Sequence, residues 1–193
     1  MTDRQTDDDR LDKAEKEFLK DIAGLAVAAA VRNEPPPDVG LLAGERGLDL
    51  SGRLSQSRGA FVTLTLDGQL RGCIGYIQGV KPLVEAVVDN GRSASVGDPR
   101  FAPVTELELA KLELEISALT PLRSVNGPGD IKVGVHGILL TKNGRQSVFL
   151  PQVAPEQGWD LDTTLTQLAL KAGLAPDAWA SGAEFQVFEA EVF

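Results

Sequence analysis

Cys73 is the only cysteine of the chain, and it sits in Leu70-Arg71-Gly72-Cys73-Ile74-Gly75, two residues after an arginine and bracketed by glycines. In a strand, residues two apart project to one face, so Arg71 and Cys73 are expected to point the same way. A guanidinium beside a thiol stabilises the thiolate and makes the cysteine a nucleophile. Gly72 and Gly75 would leave room for a substrate atom. The plainer reading is a small buried hydrophobe, with the glycines serving a bulge or a strand crossing.

His136, the only histidine, lies in Gly134-Val135-His136-Gly137. Imidazole titrates near neutrality, so His136 is a candidate general base for Cys73; the alternative is a histidine satisfied by backbone hydrogen bonds at a strand start. In Asp98-Pro99-Arg100, the proline biases Asp98 toward an extended conformation, and the aspartate is expected to fix a turn. Arg100 is then a candidate to hold an acidic substrate, or a partner for Asp98 or Glu106. Gln152 follows a proline that ends a strand, and its amide offers a donor and an acceptor to a substrate, or anchors the turn. Glu156 is a candidate general acid or base, or a solvated loop residue. One cysteine and one histidine without helical spacing build no structural zinc site, and no cofactor is expected. There is no Walker loop and no dinucleotide-binding glycine fingerprint. Radical SAM chemistry needs a cysteine triad, so any iron or radical step would belong to a partner.

Leu11, Ala14, Phe18, Ile22, Leu25 and Ala29 are spaced by three and four, one face of an amphipathic helix ending before Pro35-Pro36-Pro37. Residues 59–66 and 69–77 flank Asp67-Gly68, a type I′ hairpin signal. A helix from about Pro82 follows. Thr105-Glu106-Leu107-Glu108 reads as a capping box opening a short helix. Leu112, Leu114, Ile116 and Ala118 then alternate with polar residues as a half-buried strand. The same order returns with a hairpin at Asn143-Gly144, a helix over about 162–172 stopped by Gly173 and Pro176, and a closing strand 185–193 buried as core. This predicts an α+β protein in which two similar hairpin–helix–strand repeats, about 53–120 and 131–193, form one mostly antiparallel, barrel-like sheet with flanking helices. Residues 1–10 are expected to be a disordered acidic tail, and 11–193 one domain.

The formal net charge is −9, the wrong sign for bulk attraction to nucleic acid or to an anionic membrane. A local cluster of Arg71, Arg92 and Arg100 is the exception that RNA binding would require. The longest apolar stretch, Ile22 to Val31, is too short to span a bilayer. An acidic start and a single cysteine fit the cytoplasm.

Five segments in order carry a resemblance: 70–75, Asp98-Pro99-Arg100-Phe101-Ala102-Pro103, Gly134-Val135-His136-Gly137, Leu150-Pro151-Gln152-Val153 with Glu156 and Trp159, and Lys171-Ala172-Gly173-Leu174 followed by Trp179. From about residue 11 onward the chain resembles the AMMECR-type domain, whose prokaryotic members are called AmmeMemoRadiSam system protein A. The resemblance implies two β-rich repeats forming one barrel-like sheet. It also implies association with a Memo-type protein and a radical SAM enzyme. The expected function is an enzyme or enzyme subunit with a Cys73-centred cleft acting on a small molecule or nucleobase; the alternative is a non-catalytic binding or adaptor module. Cys73, Arg71, His136 and Glu156 are the expected catalytic groups, and Gly72, Gly75, Arg100 and Gln152 the expected binding groups. Oligomeric state stays open.

Overall fold

The computed structural model describes residues 10–193, so all but Arg10 of the expected acidic tail lies outside the described residues. In chain order the elements are α1 (Lys13–Val31), α2 (Val39–Glu45), β1 (Ala60–Leu66), β2 (Gln69–Tyr76), α3 (Leu83–Val96), β3 (Leu112–Leu119), β4 (Arg123–Val125), β5 (Gly137–Lys142), β6 (Arg145–Phe149), α4 (Val153–Gln157), α5 (Leu161–Lys171), β7 (Glu184–Phe188) and β8 (Ala190–Val192). They divide into two compact units, one reaching to Leu119 and including Glu191–Phe193, the other Thr120–Ala190. The class is α+β. None of the described helices is long and apolar enough to cross a membrane.

In the first unit, Asp12 and Glu15 start α1 by exchanging side-chain-to-backbone bonds of 2.9 and 2.8 Å, a reciprocal cap of two otherwise orphaned N–H groups. Asp67 and Gly68 hold φ of 50° and 74°, the paired positive angles a type I′ turn needs, so the β1–β2 hairpin closes where the sequence places it. On β1, Ala60, Val62 and Leu64 are buried while the intervening residues are half-buried. The buried set packs with Ile116 of β3 against Phe18 and Ile22 of α1 and Leu83 and Val87 of α3. Each such large apolar side chain contributes about 1.5–3 kcal/mol on burial, before the entropy cost of ordering it.

In the second unit, Asn143 and Gly144 repeat the turn with φ of 51° and 73°. Ile138, Leu140, Phe185 and Val187 of the sheet pack on Leu165 and Leu168 of α5. Gly173, at φ 70°, ends that helix: its N–H donates to Leu170 O and the Leu174 N–H donates to Ala169 O, the pair of bonds of a Schellman cap.

The expected barrel-like sheet is not formed. The strands make two open four-stranded sheets, ordered β2-β1-β3-β8 and β4-β7-β5-β6. Pro121, which has no N–H to give a ladder, stands two residues past the end of β3, between it and β4. The closing segment is likewise two strands. Glu189 leaves the ladder between them, because its N–H donates to Thr120 Oγ1 and its carbonyl accepts the Thr120 N–H, each at 2.9 Å.

Candidate functional site

Cys73 lies on β2, an edge strand of the first sheet. Its Cα partner on β1 is Thr63, and the Thr63 hydroxyl donates to the Cys73 sulfur at 3.3 Å. On the side away from β1, the Cys73 N–H donates to Asp98 Oδ2 at 2.9 Å, and its carbonyl accepts from Arg100 Nη2 at 3.2 Å. Both main-chain groups therefore face outward, which makes Cys73 and Thr63 a non-hydrogen-bonded pair, the kind whose side chains approach closest. Cys73 is half-buried.

The Asp98-Pro99-Arg100 turn thus does the work of a missing neighbouring strand. Asp98 is buried and accepts from the Arg100 N–H at 3.1 Å, from Arg100 Nε at 3.0 Å and from Arg100 Nη2 at 2.7 Å, besides the Cys73 N–H. The Arg100 bonds hold its carboxyl far below the usual carboxylate range; burial opposes this and the two backbone N–H groups reinforce it. The same pairing raises Arg100 above its ordinary value, against a desolvation cost, with charge on Asp98 and Cys73 adding to the effect. The Arg100 side chain is 55% exposed, so this cation is fixed in place yet open to solvent. Phe101 lies beneath it, ring centroid 5.4 Å from the guanidinium carbon.

Arg71 goes elsewhere. The β1–β2 register steps from Thr65–Leu70 to Leu64–Gly72, so Arg71 is the extra residue of a bulge and escapes strict alternation with Cys73. Its guanidinium donates to Glu108 at 2.8 and 3.2 Å and to the carbonyls of Ala102 and Pro103 at 2.7 and 3.1 Å. Glu108 also accepts from the Thr105 N–H and hydroxyl, at 2.7 and 2.8 Å. Arg71 foremost, then Thr105, holds the Glu108 carboxyl down to about 2. The Thr105–Glu108 capping contact is therefore present, but it closes a turn followed by one 3-10 turn, Leu109–Lys111, instead of a short α-helix.

The spaces at the two glycines are occupied by the protein itself. A Cβ on Gly72 would lie 2.1 Å from the Ala94 carbonyl oxygen of α3, and one on Gly75 would lie 2.4 Å from the Phe61 ring. Strand β2 needs glycine there to approach its neighbours.

In the second unit, His136 is buried, and its Nδ1 accepts the Lys132 N–H at 3.1 Å while its own N–H donates to Lys132 O at 2.9 Å. Burial first, with Arg123 and Lys132 in the same direction and Glu189 against, pushes the imidazole below its ordinary value. The ring is neutral near pH 7 with its proton on Nε2. Gln152 caps α4 and is half-buried, and its carbonyl accepts the Glu156 N–H at 3.0 Å. Glu156 is exposed on that helix. The His136 loop comes against the same helix: a Cβ on Gly134 would sit 3.3 Å from Pro155 Cγ. Trp159 packs on Phe149, ring centroids 5.7 Å apart, and the Trp179 indole N–H donates to Thr166. Among the described residues, no group of three or more His, Cys, Asp and Glu is arranged to hold a metal ion.

The AMMECR1 family model matches residues 21–193. The chain belongs to the AMMECR1 family. Among its AMMECR1 relatives it is 44% identical over 154 residues to protein Mbar_A1807 of Methanosarcina barkeri, covering 77% of this chain and 76% of that one. It is 40% identical over 192 residues to protein TK0174 of Thermococcus kodakarensis, covering 92% and 88%. The crystal structure of the uncharacterized protein PH0010 from Pyrococcus horikoshii superposes with a TM-score of 0.74 at 35% identity, covering 91% of this chain and 89% of that one. In this AMMECR1 chain, sequence reasoning missed Thr63 and Glu108, which touch Cys73 and Arg71 respectively. It also missed Arg58, which is fully buried and donates to Leu119 O at 2.9 Å and to Glu191 at 3.4 Å.

Proposed function

We propose that this AMMECR1 protein is an enzyme, or a subunit of one, in which the Cys73 thiol acts on a small molecule or a nucleobase, alongside Memo-like and radical SAM partners. The observation that carries this reading is the fixed setting of Cys73. Its N–H and carbonyl are bonded by Asp98 and Arg100, its sulfur receives the Thr63 hydroxyl, and an exposed guanidinium stands at its carbonyl. Preorganised groups of this kind lower the reorganisation that a thiol nucleophile would otherwise need. Arg100 is the group to receive an anionic substituent of the substrate. Arg71 is a positioning residue, because it clamps the segment that carries Asp98 and Arg100. His136 and Glu156 are retained as acid–base candidates and Gln152 as a recognition group, all on the second unit. The common strand order of the two sheets, with a hairpin beside a strand that follows a helix, supports reading the chain as an internal duplication.

A non-catalytic binding or adaptor module is the second reading. It is favoured by the filled spaces at Gly72 and Gly75, and by two cavities of the first unit that neither Cys73 nor Arg71 lines. Alkylation by iodoacetamide, followed by mass spectrometry on native and urea-unfolded protein, separates the two. Comparable or faster labelling of the native thiol supports the enzyme. Protection until unfolding supports the module.

A further inference from the structure

The helix-covered face of the first sheet, opposite Cys73, holds a cavity of about 370 Å³. Gly24, Val27 and Ala28 of α1 form one wall, and Leu64, Leu112 and Leu114 of the sheet form the other. Its volume falls within the range of small-molecule sites, and its lining is apolar except at one place. There Arg32 and Glu106 form an ion pair, with Arg32 Nε donating to Glu106 Oε1 and Oε2 at 3.0 and 3.2 Å and Nη2 donating to Oε1 at 2.8 Å. The side chains of both are about half exposed, at 47% and 58%, and an ion pair so placed contributes little and is cheap to exchange.

Gly24 supplies an independent observation. It lies in the interior of α1, where glycine weakens a helix relative to alanine, yet a Cβ there would meet nothing within 4 Å. Packing does not require it. Gly91 on the facing helix differs, since a Cβ on it would lie 3.3 Å from Ala23 O. Glycine at 24 adds no side chain to the cavity wall that it lines.

We propose that this cavity binds an amphipathic monocarboxylate, its apolar body between α1 and the sheet and its carboxylate on Arg32 in place of Glu106. A planar guanidinium already held in a two-bond geometry by one carboxylate receives another without rearrangement. This site is separate from Cys73 and does not depend on the reading of the thiol.

Decanoate is the probe, with decanol as its uncharged control, and isothermal titration calorimetry on the full chain is the readout. The expected result is saturable decanoate binding that decanol does not match. Arg32→Gln should weaken it about tenfold, the loss of one charge-assisted contact. Glu106→Gln should strengthen it by removing the competitor. Gly24→Leu should abolish it while leaving the melting temperature unchanged or higher. No saturable binding by the wild-type chain overturns the proposal, as does binding that Gly24→Leu preserves. Should Gly24→Leu lower the melting temperature, the opposite signs at Arg32 and Glu106 decide alone; equal effects there overturn the proposal.

Discussion

Asp98 accepts the Cys73 N–H at 2.9 Å while holding, through the same carboxylate, the Arg100 guanidinium that donates to the Cys73 carbonyl. One buried acid therefore sets the backbone of the thiol and the cation beside it. Asp98→Ala leaves the N–H of an edge strand and a guanidinium without their shared partner. We expect it to cost about 2 kcal/mol of stability, discounted for the exposure of Arg100. Urea unfolding checks this. A change smaller than about 0.5 kcal/mol would mean the turn is held by other contacts.

Acid should undo this arrangement in a defined window. Glu108 is held from its usual 4.5 to about 2 and Asp98 is also held low, so the unfolded chain takes up protons before the folded chain does. A depressed carboxyl contributes stability that is complete above the unfolded value and is lost as pH falls through the folded one. The urea midpoint should thus fall steadily from about pH 4.5 downward, and Glu108→Gln should flatten part of that slope. An unchanged slope in Glu108→Gln would contradict the assignment.

His136 adds a separate step. Its imidazole is held below 6.5 chiefly by burial, so its stabilising effect is complete above that value and declines as pH drops below it. NMR of the single histidine should show titration below 6.5 in the native state, and His136→Gln should remove the stability slope just below 6.5. Titration at or above 6.5 would rule out the buried neutral ring.

Two glycine substitutions should move in opposite directions. Gly72→Ala drives a methyl to 2.1 Å from the Ala94 carbonyl and should cost about 1–3 kcal/mol. Gly44→Ala, in α2 with nothing within 4 Å, should stabilise by about 0.5–1 kcal/mol. Thermal melts of both variants test the claim that Gly72 serves packing against α3.

The residues that sequence reasoning placed well are those whose signal is local. Asp67-Gly68 and Asn143-Gly144 each demand two positive φ angles and find them, and Gly173 ends its helix as expected. What escaped depends on a single inserted residue. Without a bulge, the two-residue turn at Asp67-Gly68 would set Thr63 opposite Gly72; the bulge at Arg71 moves Thr63 to Cys73 and turns Arg71 toward Glu108. Alternation by twos cannot reveal a bulge, so the guanidinium at Cys73 was expected from Arg71, whereas Arg100 is the one bonded to its carbonyl. The break between β7 and β8 was equally hidden, because there Glu189 bonds Thr120, a pairing 69 residues apart.

A reactive thiol beside a fixed cation should discriminate between two alkylating agents on native protein. Iodoacetate carries a negative charge and iodoacetamide does not. The ratio of their rates at Cys73 should exceed the ratio for the same thiol in urea, and Arg100→Gln should return it to the unfolded value. A native ratio equal to or below the unfolded one, or one that Arg100→Gln leaves unchanged, would mean that Arg100 does not act on the Cys73 thiol.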